Sequence, residues 1–155
     1  MKELAFQSEI LKSARLMGGF GQKIAHRFKV GIPDLLLSMP GSGMVLLECK
    51  SLNEVGDVFN RNTGITSIQQ ETLAKYNATQ SAPIGAQLIY LVHHGEPRAV
   101  VWPADEAKLS YKYEMENGIW VKRDKKEPHW NLSILASAVK LSRFSRSAEK
   151  RTAIF

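Results

Sequence analysis

Two carboxylates and a lysine stand in stretches that otherwise read as protein core. Asp34 lies in Gly31-Ile32-Pro33-Asp34-Leu35-Leu36-Leu37, and Glu48 and Lys50 lie in Leu46-Leu47-Glu48-Cys49-Lys50. In a strand, residues i and i+2 point the same way, roughly 6.8 Å apart. Glu48 and Lys50 therefore share one face, while Leu47 and Cys49 point into the opposite layer. Asp34 comes alongside Glu48 if the two apolar runs pair across Pro40-Gly41-Ser42-Gly43. Burying three charges is costly unless they pair or hold a metal. Two carboxylates beside a lysine can do both, and hard oxygen donors suit Mg²⁺ or Mn²⁺ better than zinc. The structural alternative is a Glu48–Lys50 ion pair with Asp34 capping a turn. It leaves three ionisable groups on apolar strands with no function.

The elements that must position these groups are legible on either side. Residues 3–17 read as a helix with Phe6, Ile10, Ala14 and Met17 near one face and Leu11 at its margin, stopped by Gly18 and Gly19. Residues 22–30 alternate, with Ile24, His26, Phe28 and Val30 on one side and Lys23, Arg27 and Lys29 on the other, which predicts a half-exposed strand. Residues 32–39 and 44–50 form the hairpin of core strands, and residues 53–65 read as a polar, mobile loop. Thr66 or Ser67 can cap a helix running to about Ala78, each with a Gln three residues later. AQLIYLVH (86–93) is an apolar strand, Gly95-Glu96-Pro97 turns into a strand over Arg98–Trp102, and residues 104–109 suit a helical turn or two. Residues 110–123 predict a second hairpin around Asn117-Gly118. A basic helix from about Asn131 closes the chain, with Leu132, Leu135 and Val139 on its apolar face.

Gly-Ile-Pro-Asp, a hairpin and then Glu-Cys-Lys, between two helices, resembles the PD-(D/E)XK nuclease signature, closest to the VRR-NUC group and the Holliday-junction resolvases. The resemblance covers roughly residues 3–93 and includes a Gly shortly before Pro-Asp and a Gln in the following helix. It implies an α/β fold with a restriction-endonuclease-like αβββαβ core and a mixed central sheet. The expected organisation is one nuclease domain over 1–155, with a core of about 3–102 and a C-terminal hairpin and basic helix over about 103–155. It implies that Asp34 and Glu48, with the main-chain carbonyl of Cys49, ligate Mg²⁺ (or Mn²⁺ in its place), and that Lys50 serves the attacking water. Glu9 is the candidate for a further glutamate that reaches the metal from the first helix. Glu3, at the frayed end of that helix, is its only other glutamate. Gln69 is the choice for the family's glutamine, with Gln70 a close rival. The implied reaction is phosphodiester hydrolysis leaving a 5′-phosphate and a 3′-hydroxyl.

Bulk properties agree with that chemistry without requiring it. The 155 residues suit a single domain, 44% hydrophobic and 23% charged, with a formal net charge of +6 that favours a polyanionic partner. DNA contacts are expected from Lys23, Arg27 and Lys29, and from Arg143, Arg146 and Lys150 at helical spacing in the C-terminal stretch; a solvated strand face and a solvated tail are the plainer alternatives. Trp102, Trp120 and Trp130 suit packing more than base stacking, and Cys49 a buried thiol. His93 and His94, adjacent in a strand, should face opposite ways and so not form a metal pair. The 110–123 hairpin suits a DNA-gripping wing or a dimerisation arm. The mixed charge of MKELAFQSEI is unlike a secretory leader, no run approaches a membrane span, and a single cysteine fits a reducing compartment. A cytoplasmic location is expected, in a host cell if the gene is a phage's. The reading is a structure-specific endonuclease acting on branched DNA as a symmetric homodimer. Its rivals are another DNase of the same chemistry, restriction-type or exonucleolytic, and a non-catalytic nucleic-acid-binding module on this fold.

Overall fold

A helix and a β-hairpin come first. Glu3–Leu16 forms α1, with Phe6, Gln7, Ile10, Ser13 and Ala14 buried along one face. The helix stops where Gly18 takes φ 79°, and its last carbonyls are closed by Gly18 N–H to Arg15 O and Gly19 N–H to Ala14 O. β1 (Phe20–Lys23), β2 (Leu35–Met39) and β3 (Gly43–Glu54) follow, each antiparallel to the last. The computed structural model describes residues 1–24, 31–41, 43–60, 66–78, 84–103, 112–115, 120–124, 129–133 and 135.

β4 (Val58–Asn60) precedes α2 (Ser67–Ala78), which crosses over to β5 (Ile84–His93), parallel to β3. A tight turn at His94-Gly95 leads to β6 (Glu96–Pro103), antiparallel to β5. β7 (Lys112–Glu114) pairs with β4, and β8 (Trp120–Val121) pairs with β6. The result is α/β: a mixed six-stranded sheet in the order β1-β2-β3-β5-β6-β8, two helices among the described residues, and a two-stranded β4–β7 ribbon. Among the described residues no helix is long and apolar enough to cross a membrane.

The sheet has a packed layer on each face. Phe6, Ile10 and Ala14 of α1 meet Leu35, Leu37, Leu47, Cys49, Leu88, Tyr90, Val101 and Trp130. The opposite face takes Leu73 of α2, and towards β6 a second cluster of Phe59, Ile89, Leu91, Val100 and Met115. The ribbon thus covers the part of the sheet that α2 leaves open. Gly85 lets α2 settle closely: a Cβ there would lie 3.1 Å from Leu73 O and 3.2 Å from Leu73 Cα.

Several expectations are corrected. The first strand begins at Phe20, earlier than the expected 22, and is described as far as Lys23; residues 25–30 of the expected 22–30 strand lie outside the described residues. The stretch expected as a loop over 53–65 contains the end of β3 and all of β4. The 110–123 hairpin does not form: its two arms join different sheets. An isolated two-stranded hairpin is marginal in water, whereas β8 gains an edge of the main sheet and β7 a ribbon docked on the core. The turn at 116–119, the helical turn at 104–109 and the helix beyond Leu135 lie outside the described residues.

Close approach at Gly85 predicts that Gly85→Ala destabilises the fold by about 1–3 kcal/mol, because backbone and not only a side chain must yield. Gly56→Ala, where a Cβ would meet nothing within 4 Å, should be near neutral or stabilise by about 0.4–1 kcal/mol. Urea unfolding of the two variants checks the contrast.

Candidate functional site

Strand pairing brings the acids together. Leu35 is opposite Leu47, and extending that register by one residue sets Asp34 opposite Glu48. The Asp34 backbone is held on both sides: its N–H donates to Leu47 O at 3.0 Å, and its carbonyl accepts from Ile24 N–H at 2.9 Å. Its side chain takes a ladder position, with Oδ2 accepting the Cys49 N–H at 2.8 Å. A strand residue's N–H and C=O face the same neighbouring strand, so the Cys49 carbonyl faces this gap as well. The Cys49 thiol points the other way, into the α1 layer, where burial pushes its pKa well up.

Glu48 is 1% exposed on the central strand. Its Oε1 accepts from Gln69 Nε2 at 2.8 Å and lies 3.6 Å from Lys50 Nζ. Its Oε2 is buried with no hydrogen-bond partner. The adjacent Asp34 carboxylate can bond to it only through a proton or a cation. Burial, then the charge of Asp34, raise the Glu48 pKa to about 8 against the pull of Lys50. Without a cation, Glu48 therefore keeps its proton at neutral pH.

Gln69 works at both ends of one contact. Its N–H donates to Thr66 Oγ1 at 3.2 Å and its Oε1 accepts the Thr66 N–H at 3.0 Å, a reciprocal capping box at the start of α2. Its remaining amide protons face Glu48. Gln70 is buried nearby on α2, but the contact with Glu48 belongs to Gln69. Gln87, which sequence reading passed over, is the β5 partner of Glu48 in the parallel ladder. It is 1% exposed, and neither its Oε1 nor its Nε2 has a hydrogen-bond partner. A glutamine inside the apolar run 86–93 was the available signal.

The glutamate of α1 needs correction. Glu9, expected to reach the metal site, has both oxygens engaged elsewhere. Oε1 accepts from Arg123 Nη2 at 2.9 Å and Oε2 from Trp130 Nε1 at 2.8 Å. Ser13 Oγ, bonded to Glu9 O, accepts the Trp130 N–H, so this side of α1 fastens the C-terminal segment. Glu3 is the helix glutamate in the field of the cluster: burial and Asp34 raise its pKa, against Lys50. The Ser51 hydroxyl donates to Met1 O, drawing the start of the chain to β3 beside Lys50. Glu3 and Glu9 stand about 240° apart around the helix axis, and which of the two meets the sheet's acids was a tertiary matter.

The arrangement fits a hard divalent cation. Asp34, the unpartnered Glu48 Oε2 and the Cys49 carbonyl are oxygen donors of the kind Mg²⁺ and Mn²⁺ take, and a buried orphan carboxylate oxygen is the atom such an ion would satisfy. Of the basic residues expected at DNA, Lys23 is exposed on the edge strand β1. Arg27, Lys29, Arg143, Arg146 and Lys150 lie outside the described residues. No family model and no curated protein matches this chain.

The raised Glu48 pKa has a signed consequence. The folded chain holds a proton between pH 4.5 and about 8 that the unfolded chain releases. Metal-free stability is therefore full below that window and falls as pH rises through it, by up to about 1.4 kcal/mol per pH unit. Glu48→Gln should flatten the profile. Mn²⁺ should raise the wild-type melting temperature near pH 8 and leave that of Glu48→Gln unmoved, as scanning fluorimetry would read. The two helix glutamates should separate as well. Glu9→Gln is expected to cost about 1–3 kcal/mol in urea unfolding with Mn²⁺ affinity intact, whereas Glu3→Gln should shift Mn²⁺ affinity with little change in stability.

Proposed function

We propose that the chain is a divalent-metal-dependent DNA endonuclease of the PD-(D/E)XK type, acting on branched DNA as a Holliday-junction resolvase does. The observation that carries this reading is the buried Glu48 carboxylate, with one oxygen held by Gln69 and Lys50 and the other buried without a partner in the field of Asp34. The element order supports it: α1, three antiparallel strands bearing the acids and the lysine, then a crossover helix bearing the glutamine and a parallel strand. That is the order expected of a restriction-endonuclease-like core.

Each residue then has a task. Asp34, Glu48 and the Cys49 carbonyl would hold Mg²⁺ or Mn²⁺, which when bound supplies Lewis acidity and offsets phosphate charge. Gln69 fixes the orientation of Glu48 from α2, and Glu3 adds negative charge at the rim. Lys50, whose side chain is 14% exposed, keeps its ammonium within reach of both Glu48 and solvent. There it would orient the attacking water and stabilise the negative charge that builds on the phosphate oxygens. The products are a 5′-phosphate and a 3′-hydroxyl. The net charge of +6 and exposed Lys23 on the β1 edge suit phosphate contact. A junction presents two strands for cutting, which favours a symmetric dimer.

A panel of four-way junction, flap, linear duplex and single-stranded DNA, with and without Mg²⁺, tests this directly. Cleavage should require the metal and be fastest on the junction. Asp34→Asn and Glu48→Gln should each lower the rate by at least about a hundredfold. Cutting of linear duplex as fast as of junctions would replace the resolvase reading by another DNase of the same chemistry. Binding without cleavage would leave a nucleic-acid-binding module.

A further inference from the structure

A second cluster of ligating groups lies at the far end of the parallel strands. His93 ends β5, six residues beyond the Gln87 that pairs with Glu48, so the cluster is about 20 Å along the sheet from the acids. His93 Nε2 lies 2.8 Å and His94 Nε2 3.6 Å from the same atom, Asp57 Oδ1. The sequence pattern predicts the two imidazoles on opposite faces, but His94 is not a strand residue. It takes φ 49° and Gly95 φ 76°, the two central positions of a type I′ turn. The positive φ swings the His94 ring back beside that of His93, with centroids 4.0 Å apart. Asp57 is brought in by main-chain ties on both sides of it: Val55 N–H donates to Val92 O, and the Asp57 carbonyl accepts from Met115 N–H.

We propose that His93, His94 and Asp57 form a binding site for a borderline first-row divalent ion, with Zn²⁺ the best fit, separate from the acidic cluster and independent of the nuclease reading. Two imidazole nitrogens and one carboxylate oxygen are the mixed donor set that Zn²⁺ takes, whereas the all-oxygen set at Asp34 and Glu48 suits Mg²⁺. Donors at zinc bond lengths in a tetrahedron lie about 3.3 Å apart. The three ligand atoms here all lie within 4.8 Å of one another, so shifts of under about 1 Å would close the site. His93 is buried and supplies a fixed ligand. The side chains of His94 and Asp57, 78% and 80% exposed, leave the remaining coordination positions open to water. The ion would clamp the β3–β4 connection, and with it the β4–β7 ribbon over Phe59 and Met115, to the β5–β6 turn.

The test uses the full chain, free of any affinity tag and stripped of metal, titrated calorimetrically with ZnCl₂ near neutral pH. One Zn²⁺ should bind at this cluster and raise the melting temperature, in addition to any that enters the acidic cluster. Asp34→Asn should bind equally well, because it belongs to the other cluster. His94→Ala and Asp57→Asn should each weaken binding by at least about tenfold. Both alter exposed side chains, so the fold is retained, and unchanged circular dichroism would verify it. Co²⁺ in place of Zn²⁺ should give visible d–d bands in the wild type that His94→Ala loses. Absence of Zn²⁺ binding, or affinity unchanged in both variants, overturns the proposal; it would leave His93–Asp57 an ordinary hydrogen-bonded pair. Loss of Zn²⁺ binding in Asp34→Asn alone would reassign the metal to the acidic cluster.

Discussion

A carboxylate has been placed in the middle of the central strand, and most of the surrounding structure answers that placement. Glu48 lies almost wholly out of water, beside a second carboxylate. The desolvation cost of such a group is large, and a neighbouring negative charge adds to it. The chain offsets the cost on one oxygen only, through Gln69 and Lys50. The other oxygen is left to a proton or a cation, and burial, then the charge of Asp34, raise the pKa of the group. A fold selected for stability alone would favour an apolar side chain here. The acid at this position is the group on which the proposed metal chemistry rests.

Period-two alternation separates stability from chemistry along β3. Val45, Leu47 and Cys49 pack into the α1 layer, while Glu48 and Lys50 face the side crossed by α2. A one-residue slip in register would exchange the two sets and bury both charges in the larger core, so that core locks the register on which the site depends. α2 is fixed to the same face by its close approach at Gly85. Its first turn is closed by the side chain that also holds Glu48, so helix capping and the orientation of the acid are coupled through Gln69.

Helix α1 serves two purposes at its two ends. Glu3 lies in the field of the acidic cluster, and Glu9 with Ser13 fastens Trp130 and Arg123. Trp130 in turn packs edge-on against Phe6 and Tyr90, with ring centroids 5.6 and 6.1 Å away, which makes the C-terminal segment part of the main core. Within the stretch expected outside the 3–102 core, Val121, Trp130, Leu132 and Leu135 are therefore part of the main core.

Much that depends on near neighbours was readable in the amino-acid sequence. The 3.6-residue spacing of Phe6, Ile10 and Ala14 marked α1, and the Thr66–Gln69 spacing marked the start of α2. Alternation placed Glu48 and Lys50 on one face, with Asp34 reachable across a short turn. Periodicity, caps and turn chemistry act within a few residues, so they leave a local trace. Tertiary structure decided which strand β7 and β8 would join, which glutamate of α1 meets the acids, that Gln87 lies beside Glu48, and that Asp57 meets both histidines. Those outcomes turn on competition between partners distant in the chain, where a free sheet edge or an unpartnered polar atom selects its mate by burial and charge. His94 shows the boundary most plainly. Its side-chain direction follows from one backbone angle in the turn, and alternation along a strand carries no information about that angle.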